Sequence, residues 1–139
     1  MATYLLDTNV LSEMTRPRPD AKVVEFFAQE SDLWLSAISF DEFRFGAEIA
    51  RDTTKRMKLD IWISELADQF KSRCITVDRQ VAEQSGRLRA IAQGKGQGCD
   101  PLDALIAASA MSRNLILATR NIKDFEHFGV RLMNPWLRD

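Results

Sequence analysis

Thr3-Tyr4-Leu5-Leu6-Asp7-Thr8-Asn9-Val10-Leu11 changes character halfway along. Thr3 to Leu6 favours β structure, whereas Asp7-Thr8-Asn9 prefers caps and turns over strand interiors. A buried strand presenting Asp7 at its carboxyl tip is therefore expected. A short helix from Val10 to about Met14 should follow and stop before Arg16-Pro17-Arg18-Pro19, where the prolines deny the backbone its helical donors.

The same alternation continues outward. Asp20 can cap a helix whose inner face carries Val23, Val24, Phe26 and Phe27. Leu33-Trp34-Leu35 reads as a second strand. Ser39-Phe40-Asp41-Glu42 has the spacing of a capping box, which predicts Glu42 in the first turn of a helix. A further helix from about Thr54 to Phe70 carries Met57, Ile61 and Leu66 with Trp62 and Phe70. Ile75-Thr76-Val77 predicts a third strand, and Asp78 starts the helix of Val81, Leu88 and Ile91. Gly94 to Gly98 predicts a mobile loop. Asp100-Pro101 then pairs a cap with a proline at the first helical position. A fourth strand, Leu115 to Ala118, again ends in a polar tip, Thr119-Arg120-Asn121, and Val130 to Leu132 predicts an edge strand. Strands alternating with helices point to an α/β sandwich with a mainly parallel sheet of four to five strands. In such folds ligands bind beyond the carboxyl ends of the strands, where Asp7 and the Thr119 to Asp124 segment are placed.

The chain has 139 residues, so a single domain spanning 1–139 is expected. Its 19 Lys and Arg against 20 Asp and Glu leave a net charge of -1, which neither announces nor excludes a nucleic-acid partner. The spread is uneven: Arg44, Arg51, Lys55, Arg56 and Lys58 meet only Glu48 and Asp52 between them. Two cysteines, Cys74 and Cys99, and one histidine, His127, cannot furnish a structural zinc site, and reduced thiols are expected. No apolar run approaches a membrane span and Met1 to Asp7 lacks the features of a signal peptide, so a cytoplasmic protein with no membrane partner is expected. His127, expected at the surface, has no second histidine with which to act as an acid–base pair. Gly94 to Gly98 is no phosphate-binding P-loop, because Lys95 precedes Gly96 and not Ser or Thr. An aspartyl-phosphate mechanism is disfavoured because Asn9, not an aspartate, stands two residues after Asp7.

Four acids sit where an amphipathic pattern would not put a solvated carboxylate. Asp7 lies between Leu6 and the Val10-Leu11 helix, and Asp103 between Leu102 and Ala104-Leu105-Ile106. Glu42 stands near a helix start in apolar sequence, and Asp124 precedes Phe125. Each alone reads as a cap or an ion-pair partner. Together they suit a hard divalent cation, because shielded carboxylates are costly unless offset and oxygen donors select such ions. A cation of this kind can acidify a water and stabilise charge on a phosphoryl group, which suits phosphodiester hydrolysis.

Leu5 to Leu11, the Glu42 helix, Pro101-Leu102-Asp103-Ala104-Leu105-Ile106-Ala107-Ala108 and Ala118 to Phe125 together resemble a PIN domain, most similar to the VapC toxins of bacterial toxin–antitoxin pairs. The resemblance spans essentially the whole chain. It implies a PIN-like α/β/α sandwich and an endoribonuclease whose Asp7, Glu42, Asp103 and Asp124 surround one or two Mg2+ or Mn2+ ions and activate a water. It also implies that Thr8 and Asn9 support the first acid and that Thr119 and Asn121 orient the cluster, with Asp100 close to the third acid. The expected substrate is RNA, tRNA or rRNA in particular. The expected partners are a second copy of the chain, as a homodimer, and an antitoxin in a hetero-oligomer that reaches DNA only through that antitoxin. The antitoxin groove is expected at the helices of Val23 to Phe27 and Phe43 to Trp62.

RNA affinity must then come from basic residues around an acidic pocket. Arg16, Arg44, Arg51, Lys55 and Arg120 are candidates, with Arg18, Arg56 and Lys95. The opposing expectation is a solvated helix face with pairs such as Arg44 with Glu48 and Asp52 with Arg56. Phe26, Phe27, Phe40, Phe43, Trp62 and Phe70 fall at helical spacings and are expected in the core, while Trp34 and Trp136 fit either role. The alternative to an enzyme is a non-catalytic module that uses the same fold to bind RNA or protein.

Overall fold

The computed structural model describes residues 2–138. Five strands, β1 (Tyr4–Leu6), β2 (Leu33–Ser36), β3 (Cys74–Ile75), β4 (Ile116–Ala118) and β5 (Leu132–Met133), form one wholly parallel sheet in the order β3-β2-β1-β4-β5. The chain builds outward from β1 to β3 and then crosses back to lay β4 on the other side of β1. Leu5 thus pairs with Trp34 on one flank and with Leu117 on the other. The crevice where the winding reverses lies beyond the carboxyl ends of β1 and β4.

Side chains alternate across the sheet, and both faces are covered. Tyr4 and Leu6 enter a layer with Val10, Val23, Phe26, Leu35 and Phe43, and Leu5 enters the opposite layer with Leu88, Ile106, Leu117 and Phe125. The first layer is roofed by α1 (Thr8–Glu13), α2 (Ala21–Gln29), α3 (Ala37–Ile49) and α4 (Thr53–Gln69). The second is roofed by α5 (Arg79–Gly94), α6 (Pro101–Ser112) and α7 (Ile122–Phe125), which completes an α/β/α sandwich. A buried Ser36–Ser109 hydrogen bond of 3.1 Å ties the tip of β2 to α6.

Local chemistry explains most helix starts. The carboxylates of Asp20, Asp52, Asp78 and Asp100 accept from first-turn backbone N–H groups of α2, α4, α5 and α6, each cap being worth about 1 kcal/mol. Pro101 occupies the first helical position, where no donor is needed. Asp7 caps α1 by accepting from Thr8 N, so this helix starts at Thr8 and not at Val10.

Several expectations are corrected. The cap of α3 is Ser36, whose Oγ accepts from Ile38 N at 3.1 Å, so Glu42 lies in the second turn and Ser39 is a buried helix residue. Ser36 takes the role because it is where β2 ends; the Ser39–Glu42 pattern falls inside a helix already begun. Asp52, occupied in capping α4, does not pair with Arg56, which bonds Glu48 at 2.8 Å instead. Val24 is exposed on α2, and Met57 and Ile61 are exposed on α4. The inward stripe of α4 is Leu59, Trp62, Ile63 and Leu66, and Met57 and Ile61 fall on the far side of it. The third and fifth strands are displaced to Cys74–Ile75 and Leu132–Met133. Gly94 is the last residue of α5, and the expected mobile loop begins as a closed turn: Gly96 N donates to Gln93 O and Gln97 N to Ala92 O, a Schellman ending with Gly96 at φ +70°. Cys74 and Cys99 are free thiols.

Candidate active site

β1 and β4 end side by side because Asp7 N donates to Ala118 O at 2.9 Å. This register carries Asp7 and Thr119 to the same point of the crevice. Asp7 is buried, and its carboxylate is held from three directions. Oδ1 accepts from Thr8 N at 2.8 Å, while Oδ2 accepts from Thr119 Oγ1 at 2.8 Å and Asn9 Nδ2 at 3.3 Å. Thr119 is in turn fixed by Asn121 N, which donates to its Oγ1 at 3.0 Å. Asn121 thus acts through its backbone, and its exposed side chain makes no capping bond.

Glu42 approaches from α3 and is half-buried. Its Oε1 accepts from Thr8 Oγ1 at 2.8 Å, so Thr8 serves Asp7 with its amide and Glu42 with its hydroxyl. Asp103 enters from the first turn of α6, also half-buried, one turn beyond the capping Asp100. Asp124 lies exposed in α7.

The electrostatics join these residues. Burial pushes the Asp7 carboxyl above its ordinary value, against the three hydrogen bonds that favour its charge, and Asp124 adds to the rise. Burial also raises Glu42, opposed by Thr8 and reinforced by Asp7, Asp100 and Asp41. Asp103 is pushed up to about 7, first by burial and then by the charges of Asp100, Asp7, Asp124 and Glu42. Asp100 therefore belongs to the cluster while its Oδ1 also caps α6. Among the described residues no Lys, Arg or His forms an ion pair with any of these five carboxylates.

An all-oxygen, uncompensated cluster fits a hard divalent cation in donor type and in charge. Among the described residues no three acidic, histidine or cysteine side chains stand at direct-ligand spacing. One or two direct carboxylates with intervening waters are what Mg2+ commonly takes.

The PIN domain family matches residues 4–130. This chain belongs to the PIN-domain family. Three relatives place this PIN domain among VapC-like proteins. It is 33% identical to Toxin FitB of Neisseria gonorrhoeae, over 95% of this chain and 97% of the relative. It is 31% identical to VapC ribonuclease Y4jK of Sinorhizobium fredii (95% and 96% covered) and 26% identical to the tRNA(fMet)-specific endonuclease VapC of Shigella flexneri (98% and 99% covered). Its fold superposes on FitAcB from Neisseria gonorrhoeae with a TM-score of 0.91 at 32% identity, covering 98% of this chain and 100% of that one. DNA-bound VapBC from Salmonella typhimurium gives a TM-score of 0.74 at 28% identity, covering 97% and 99%.

The basic candidates of this PIN domain differ in what they are free to do. Arg16 pairs with Glu13 at 3.2 Å, and Arg44 pairs with Asp60 at 2.6 Å and Glu48 at 3.6 Å. Arg44 lies two residues from Glu42 on α3, about 200° around the helix and turned toward α4. Arg51 and Lys55 flank the tip of the α3–α4 hairpin, about 10 Å or more along α3 from Glu42. Among the described residues Arg51, Lys55 and Arg120 have no ion-pair partner.

His127 is half-buried and not a surface residue: its ring packs 4.2 Å from that of Phe128 and its Nε2 is buried without a partner. Sequence reasoning passed over Glu13, which is 5% exposed. Its carboxylate accepts from Asp20 N at 2.8 Å and pairs with Arg16, bridging the turn between α1 and α2. Nothing local marks Glu13 as buried, since its partner donor lies beyond two prolines.

Proposed function

We propose that this PIN domain is the ribonuclease toxin of a toxin–antitoxin pair, and that Asp7, Glu42, Asp103 and Asp124, with Asp100 beside them, hold one or two Mg2+ or Mn2+ ions. The observation that carries the reading is the set of mutually repelling carboxylates at the switch-point crevice, without one compensating cation among the described residues. A divalent ion bound there would supply positive charge for an anionic phosphodiester and acidify an attacking water. The protein's part is to hold the acids in place: Thr8, Asn9 and Thr119 fix Asp7, and Thr8 fixes Glu42. The VapC relatives support RNA as substrate, with tRNA as the first to try and rRNA next.

The antitoxin partner is supported by the toxin relative and by the VapBC complex. An apolar groove of about 210 Å³ lined by Leu11, Met14, Phe27, Trp62, Leu66 and Phe70 offers a seat for its tail. DNA would be met through the antitoxin, and the working unit would be a homodimer in the cytoplasm. No helix among the described residues is long and apolar enough to cross a membrane.

The test is cleavage of total RNA and of isolated tRNA by antitoxin-free protein. Cleavage that needs Mg2+ or Mn2+, stops with EDTA and is lost in folded Asp7→Asn and Asp103→Asn variants supports the reading. Intact RNA under those conditions overturns it and leaves a non-catalytic binding module.

A further inference from the structure

Arg120 stands one residue beyond Thr119, whose hydroxyl holds Asp7. Its backbone N–H donates to Asn9 Oδ1 at 3.4 Å, so its main chain is tied to the same loop that supports the acid. Its guanidinium does not turn back onto the carboxylates. It lies 5.0 Å above the ring of Trp136 and makes no ion pair among the described residues, although Asp124 follows four positions later in the chain.

Trp136 is held where it can do this. Thr119 N donates to Met133 O at 3.0 Å, which lays the segment after β5 alongside the segment after β4. Asn134 Oδ1 then accepts from Trp136 N at 2.9 Å, closing the turn Pro135–Leu137, and the indole packs partly into the layer of Phe26 and Val23. The other arginine–aromatic stacks differ. Arg138 over Phe26 pairs with Glu30, Arg73 over Phe70 bonds the carbonyls of Ser31 and Gln69, and Arg113 over Trp34 follows α6, whose opposite end carries Asp103.

The Arg120 guanidinium lies over the indole and joins no ion pair among the described residues, so its N–H groups remain available as the fork of donors that takes a phosphate. We propose that Arg120 binds the RNA phosphate adjoining the scissile one, and that Trp136 is a positioning residue that keeps the guanidinium beside the acidic cluster and off it. The inference rests on the ribonuclease reading above. A free arginine at this place would collapse onto carboxylates it is meant to serve, cancelling their charge and its own.

The test uses the full chain and a fluorescent single-stranded RNA oligonucleotide, with binding followed in EDTA on the Asp103→Asn background and cleavage followed in the active protein. Arg120→Ala should weaken binding about five- to tenfold and lower the slope of log affinity against log salt by about 0.7, the value for one single-strand phosphate contact. In cleavage the loss should fall on KM and not on kcat. Trp136→Leu should show the same effects at smaller size, Trp136→Phe should restore most of them, and the double variant should be no worse than Arg120→Ala alone. A merely structural tryptophan would lower the active fraction, and so the apparent kcat, with KM and salt slope unchanged. That outcome overturns the proposal, as do additive effects of the two substitutions. If the wild type cleaves RNA while Arg120→Ala and Trp136→Leu bind it equally well, this inference alone fails. A wild type that neither binds nor cleaves RNA brings down the ribonuclease reading and this inference with it.

Discussion

The hydroxyl of Thr8 donates to Oε1 of Glu42 at 2.8 Å across 34 positions of sequence, while the amide of the same residue donates to Asp7 at 2.8 Å. One residue thus sets the spacing between two acids that arrive on different elements. Removing the hydroxyl should loosen Glu42 and leave Asp7 capped. Thr8→Val keeps the shape and the amide and loses one hydrogen bond to a charged group, worth about 1.5–3 kcal/mol. The expected result is a fall in kcat/KM of about tenfold or more together with a melting temperature lower by several degrees, measured by steady-state RNA cleavage and thermal denaturation.

The pH dependence of stability in EDTA should carry the mark of Asp103. Its carboxyl rises from 3.8 to about 7 in the folded chain, so between those values the fold retains a proton that the unfolded chain has released. The contribution therefore favours the fold at low pH and is lost as pH rises through about 7. Asp103→Asn removes the titrating charge at nearly constant shape. At pH 8 in EDTA it should melt a few degrees above the wild type, and the difference should shrink toward pH 5. Equal melting temperatures at pH 8 would contradict this account.

Glu13 is the stability residue least expected from its neighbourhood. Glu13→Ala removes the acceptor for Asp20 N and the partner of Arg16. Because Arg16 is 63% exposed, little of the cost comes from the ion pair and most from the buried acceptor. A loss of about 2 kcal/mol is expected in urea denaturation, with Glu13→Gln recovering part of it through its remaining carbonyl oxygen.

Gly96→Ala isolates backbone strain from packing. An added methyl would meet nothing within 4 Å, yet φ is +70° in the turn that ends α5. The expected cost is about 1 kcal/mol, the penalty of a left-handed alanine, read as a shift in the urea midpoint at unchanged slope.

Much of the fold obeys rules that act within a few residues. Asp20, Asp78 and Asp100 cap their helices as their positions predict, Pro101 stands where a proline should, and the strand ending at Leu6 presents Asp7. Ser39 misleads for an instructive reason. Its pattern with Glu42 satisfies the local rule, but Ser36 already caps the helix, and where β2 ends depends on its pairing with β1 and β3. The face of α4 misleads similarly: Met57 and Ile61 are as apolar as Ile63 and Leu66, and only the approach of α3 and the sheet chooses between the stripes.

The elements that carry Asp7 and Asp103 were legible in the sequence, one from a strand tip and the other from a cap followed by a proline, whereas Glu42 lies on its expected helix although the pattern that predicted it is not the cap. Only the tertiary structure decided which groups meet. Thr119 reaches Asp7 over 112 positions, Ser36 reaches Ser109 over 73, and Arg120 finds Trp136 because β5 pairs with β4. Local propensity is set by neighbours in the chain. Contacts across a crossover are set by the order of strands in the sheet, which depends on how the whole apolar surface is buried at once.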